Sequence, residues 1–83
     1  MNSYLERHDP RRNLARYYRL SVLPNLFGEW TLERQWGRIG QRGRIRRDLF
    51  RTQSAANDAL LALEAAKRQR GYVMEPQQLS LFP

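Results

Sequence analysis

Trp36, Gly37 and Arg38 open the most chemically loaded stretch of the chain. Seven arginines lie between Arg34 and Arg51, opposed by Asp48 alone. An aromatic ring among guanidinium groups is suited to nucleic acid. A ring stacks on a base for roughly 1–3 kcal/mol, and guanidinium forks match pairs of phosphate oxygens. Trp36, Arg34, Arg38, Arg42, Arg44, Arg46 and Arg47 are therefore the candidate nucleic-acid-binding residues. Trp36 shares strand parity with Trp30 and Leu32, which on its own favours a core position. Gly37 permits a bulge that would turn the ring outward. The arginines could form an ordinary solvated sheet face, but such faces mix signs and this one does not.

Other chemistry is poorly supported. His8 stands alone in the N-terminal region, with nothing to fix it as a general base. Ser3, Ser21, Ser54 and Ser80 have no base at a recognisable spacing. Glu29 and Glu33 share one strand face and need only a surface role. Gly37-Arg38-Ile39-Gly40 lacks the lysine of a phosphate-binding loop. Cysteine is absent, which excludes disulfides and cysteine-based zinc sites. The expectation is a non-catalytic protein with no metal, cofactor or small-molecule substrate.

These residues need elements to hold them. The chain has 83 residues, enough for one small domain, and a net charge of +7. Residues 1–16 read as a basic polar arm. Tyr18, Leu20 and Val22 alternate with polar neighbours over 17–23, as in a half-buried strand. Trp30, Leu32, Arg34 and Trp36 share one face of a second strand over 29–36. Gln41-Arg42-Gly43 reads as a hairpin turn, and a third strand follows over 44–50, with the orientation of Arg47 open. Ser54 is the expected cap of a helix whose apolar stripe is Ala56, Ala59, Leu60, Leu63 and Ala66. Gly71 is expected to end that helix, with Tyr72 packing behind it. The fold class is α+β: an antiparallel sheet of three or four strands with one main helix packed on it. Residues 17–74 form the domain and 75–83 a tail. No segment resembles a signal peptide or a membrane span, so a cytoplasmic, nucleoid-associated protein without membrane contact is expected.

Two family resemblances follow from particular residues. Trp36-Gly37-Arg38-Ile39-Gly40, the Gly43 turn, the basic strand ending at Phe50 and the Ala-rich helix ending in Gly71-Tyr72 together resemble the WGR domain. That module occurs in DNA-dependent poly(ADP-ribose) polymerases and in stand-alone bacterial proteins. The resemblance implies a DNA-binding role in repair, at ends or damaged structures, without catalysis by the module. It implies that Trp36 packs on a sugar near a DNA end and that Arg38 helps connect the domain to neighbouring domains; the alternatives for Arg38 are to bind a phosphate or to brace its own sheet. RNA offers the same chemistry to arginine and aromatic side chains. The tail Gln78-Leu79-Ser80-Leu81-Phe82 resembles the pentapeptide by which bacterial replication and repair proteins bind the sliding clamp. It is the candidate partner site. The alternative function is a protein-interaction adaptor tethered to that clamp.

Overall fold

Alternating side chains on paired strands build the sheet on which everything else rests. The computed structural model describes residues 1–74. The strands are β1 (Asn2–Asp9), β2 (Leu14–Pro24), β3 (Trp30–Arg38), β4 (Arg44–Phe50) and the short β5 (Val73–Met74). The helix α1 spans Gln53–Gln69. The strand order is β4-β3-β2-β1-β5, and every pairing is antiparallel. The class is α+β as expected, with five strands rather than three or four.

One addition is β1, in the segment expected to be an arm. Its register runs from Asn2 opposite Ser21 to Asp9 opposite Leu14, so it pairs along its whole length with β2. The strand is anchored by Leu5, which is fully buried, and by Ser3, whose hydroxyl donates to Glu64 of α1. Pro10–Arg12 form a single 3-10 turn, and Asn13 takes the left-handed conformation (φ 54°) that reverses the chain into β2.

The register places Leu5, Tyr18, Trp36 and Arg44 in one row across the sheet, and Val22, Leu32 and Asp48 in another. This is the face that α1 covers. Leu5, Leu20, Leu32 and Leu60 are almost wholly buried there with Tyr18, Val22 and Ala56. Burial of each such leucine contributes about 1.5–3 kcal/mol. Trp30 and Trp36 are both half-buried and pack on the margin of this cluster. Trp30 is thus a flank of the core rather than its centre.

The helix begins two residues earlier than expected. Thr52, not Ser54, is its cap: the Thr52 hydroxyl accepts from the Ala55 amide at 3.1 Å. Its C-terminus closes as anticipated. Gly71 has φ 98°, the Tyr72 amide donates to the Lys67 carbonyl at 3.1 Å, and the Gly71 amide donates to Arg68. These two bonds form the glycine-terminated cap that satisfies carbonyls left free at a helix end. Ala56, Ala59, Leu60 and Leu63 face the sheet, but Ala66 is exposed. Lys67 instead occupies the next inward position after Leu63, so the stripe ends in a cation.

Candidate nucleic-acid interface

Trp36 lies near the end of β3, on the face that α1 covers. The expected bulge at Gly37 is not there. The β2–β3 ladder continues unbroken through Tyr18–Trp36, Tyr17–Gly37 and Arg16–Arg38. Gly37 serves close approach instead. A Cβ added to it would stand 2.7 Å from the Cα of Gly43, because the loop joining β3 to β4 folds back over this point. The Tyr17 hydroxyl donates to the Arg42 carbonyl at 2.7 Å, and the Gln35 amide donates to the same oxygen at 2.8 Å. The glycine of the triplet therefore fixes the loop on the sheet face opposite α1.

Trp36 takes its position from ring packing. Its indole stacks on Tyr18, with centroids 5.7 Å apart and planes 15° from parallel. Tyr72, just past the helix, meets Tyr18 edge-on at 6.2 Å. Beside these rings opens a cleft of about 250 Å³. Arg7 of β1 and Arg16 of β2 line one wall, directly opposite each other in the ladder. Lys67 and Arg70 from the last turn of α1 and its cap line the other. Leu14 and the rings supply the apolar lining. The Lys67 ammonium lies over Tyr18, 4.4 Å from the ring centroid, and 5.8 Å from that of Tyr72.

Among the described residues, none of these four cations has a carboxylate within ion-pair distance. Like charges placed opposite on a sheet destabilise it unless something neutralises them. The Lys67 pKa is lowered, chiefly by burial and then by the charges of Arg70 and Arg34. The cleft is thus a positive concavity with an aromatic floor, suited to an anion that brings a flat or apolar group with it.

The sequence-derived arginines divide differently. Arg34, Arg44 and Arg46 lie on the helix-covered face with Trp36, whereas Arg47 lies on the opposite face with Ile45 and Leu49. Arg34 and Arg46 both bind Asp48, at 3.1 and 3.3 Å, and Arg47 binds Glu33 at 2.9 Å. Three of the expected phosphate contacts are therefore already paired. Arg34 is also the most enclosed, with its Nε buried and without a hydrogen-bond partner among the described residues. Arg38 reaches the Asn13 carbonyl at 3.4 Å, which suits the bracing role suggested for it. Arg42 is exposed in the loop, and Arg44 stands beside Trp36 across the ladder without an ion pair among the described residues. Gln78, Leu79, Ser80, Leu81 and Phe82 lie outside the described residues.

Arg7, Arg16, Lys67 and Arg70 are not among the nucleic-acid-binding residues expected from the sequence. One signal was present: Lys67 and Arg70 continue the spacing of Ala56, Leu60 and Leu63, so they fall on the inward stripe. Arg7 and Arg16 become neighbours only through the β1–β2 pairing, which required β1 to be recognised. Among the described residues no group of acidic or histidine side chains could hold a metal ion. No helix among them is long and apolar enough to cross a membrane.

Comparison with known proteins places the chain by its sequence. The family model for the WGR domain matches residues 1–78. Over 73 residues, 88% of the chain, it is 48% identical to an uncharacterized protein, y4dW, of Sinorhizobium fredii, and the matched part is 36% of that relative's length. No solved structure matches the chain significantly.

Proposed function

The chain belongs to the WGR domain family, and from that premise we propose that it binds DNA non-catalytically through the cleft beside Trp36. The observation that carries this reading is the set of four cations, Arg7, Arg16, Lys67 and Arg70, converging on stacked aromatic rings with no acidic partner among the described residues. A helix-terminal lysine and three arginines would hold phosphates, and the open side of the Trp36 ring would pack on a sugar or base. Arg44 extends the positive surface past Trp36. Packing against a ring suits an unstacked nucleotide, so ends, nicks and other damaged structures are the preferred form. Sequence preference is weak, because phosphate contacts carry no base information.

The binding should weaken steeply with salt. Four phosphate contacts give a slope of roughly −3 to −4 in log K against log salt. Fluorescence anisotropy with duplex, nicked and single-stranded DNA, and with RNA, measures both slope and preference. An affinity indifferent to salt contradicts the electrostatic reading, and stronger binding of RNA moves the function to that acid.

A second reading adds to the first and rests on the five matching tail positions. Gln78 would supply polar contacts to a bacterial sliding clamp, while Leu79, Leu81 and Phe82 fill apolar pockets, with Ser80 between them. A short peptide must be ordered on binding, so its affinity alone is modest. Linked to a DNA-binding domain, it gains from raised effective concentration on clamp-loaded DNA. Calorimetry of a peptide of residues 75–83 against purified clamp should show binding that Leu81→Ala with Phe82→Ala abolishes. No heat from the wild-type peptide removes this reading and leaves the first intact.

A further inference from the structure

We propose that Lys67 captures aldehyde-bearing DNA, its amine forming a reversible imine with the ring-opened sugar of an abasic site seated beside Trp36. The proposal rests on the DNA-binding reading above and deepens it. Its starting point is a choice of residue. The chain has 15 lysines and arginines, and Lys67 is its only lysine. Every other cation lining the cleft is arginine. If holding phosphate were the whole task, a fourth guanidinium would serve. What lysine adds is nucleophilicity: an ammonium becomes an amine on losing one proton, whereas a guanidinium stays charged in proteins.

The geometry favours that use. Lys67 sits on the inward stripe of α1, where its stem is held and its head faces two tyrosine rings at 4.4 and 5.8 Å. No carboxylate among the described residues pins the ammonium or stabilises its charge. Burial and the neighbouring Arg70 and Arg34 lower its pKa and so raise the fraction of free amine at neutral pH. An abasic sugar is flanked by phosphates and lacks the base that would fill the cleft, so Arg7, Arg16 and Arg70 can hold the backbone while the sugar reaches Nζ.

The chemistry balances without a co-reactant. The ammonium proton goes to solvent, and the Nζ lone pair attacks the C1′ aldehyde carbon. The carbinolamine then loses its hydroxyl as water while the C=N bond forms. Water reverses the sequence, and no electrons are gained or lost overall. A free phosphorylated sugar aldehyde shares this chemistry, so the experiment separates the two sources.

The full chain is incubated with duplex DNA carrying one abasic site, with the matched intact duplex, or with 2-deoxyribose 5-phosphate, in the presence of cyanoborohydride, which reduces an imine to a stable amine. Adducts are located by peptide mass spectrometry and normalised to the bound fraction from anisotropy. Lys67 and the chain's α-amine are the amines in competition. The expected result is adduct on Lys67 with the abasic duplex, at least tenfold above the free sugar and absent with intact DNA. Lys67→Arg should abolish it, and Arg19→Lys, which puts an amine on the opposite face, should gain none at residue 19. Adduct confined to the α-amine overturns the proposal, as does equal labelling of Lys67 by the free sugar. Binding of the abasic duplex without adduct overturns it while leaving DNA binding intact. Absence of binding to every duplex overturns the underlying reading instead.

Discussion

Replacing Gly43 by alanine should destabilise the domain far more than replacing a surface arginine. Gly43 has φ 75°, in the left-handed region, and an added Cβ would press into the Trp36 carbonyl and lie 2.6 Å from the Tyr17 hydroxyl. Neither neighbour can retreat cheaply. The Trp36 carbonyl belongs to the β3 backbone, and the Tyr17 ring is 6% exposed with its hydroxyl bonded to Arg42. Left-handed backbone costs about 1–2 kcal/mol for a residue with a Cβ, and overpacking adds about 1–3 kcal/mol. A small domain has a stability near the low end of about 5–15 kcal/mol. At about 4–8 °C per kcal/mol, the melting temperature should fall by about 10 °C or more. Thermal unfolding followed by circular dichroism measures this. An unchanged melting temperature would show that the loop does not lie over Gly37 as described.

The second large effect separates the two tryptophans. Both are half-buried on the margin of the core, so exposure alone does not distinguish them. Their surroundings do. Trp30 lies opposite Phe50 and Pro24, far along β3 from the cationic cleft, whereas Trp36 lines it. Trp30→Ala should cost roughly 2–4 kcal/mol of stability, somewhat under the value for a fully buried tryptophan. It should leave affinity unchanged at temperatures where the variant is folded. Trp36→Ala forfeits its stacking on Tyr18, about 0.5–1.5 kcal/mol beyond lost area. It should also lose about 1–3 kcal/mol of nucleotide packing, or roughly 5- to 150-fold in affinity. Paired melting and anisotropy measurements on both variants check this. Equal affinity in folded Trp36→Ala and wild type would remove Trp36 from the interface.

The sequence was most legible where apolar periodicity was strong. Tyr18, Leu20 and Val22, then Trp30, Leu32 and Trp36, marked two central strands, and the Ala- and Leu-rich stripe marked the helix. β1 escaped because its inward face reads Ser3, Leu5, Arg7 and Asp9, a single apolar residue among polar ones. Its place depends on the hydrogen-bonded ladder with β2 and on the Ser3–Glu64 bond, neither of which leaves a local pattern. β5 is two residues long and is held by β1, so missing one meant missing both. The candidate site was legible only in its centre. Trp36 stood out by type and context, but the charge run pointed to other arginines than those that line the cleft beside it. Asp48 and Glu33 engage three of those arginines, and alternation sends Arg47 to the far face. The cations around the ring that have no ion pair among the described residues come from three separate elements, a convergence that tertiary structure alone creates.

The central claim is that location, rather than total charge, makes the DNA site. It is tested most directly by two double variants that remove the same charge from opposite faces: Arg16→Gln with Arg70→Gln in the cleft, and Arg19→Gln with Arg47→Gln on the uncovered face. Affinity for a short nicked duplex is measured by anisotropy at several salt concentrations, with melting curves confirming that each variant is folded. The cleft variant should lose at least tenfold in affinity, and its salt slope should shrink by about two, since two phosphate contacts are gone. The opposite-face variant should stay within about threefold of wild type, the small loss expected from long-range attraction alone. Equal losses in the two variants, or a larger loss from the Arg19 and Arg47 pair, would contradict the claim.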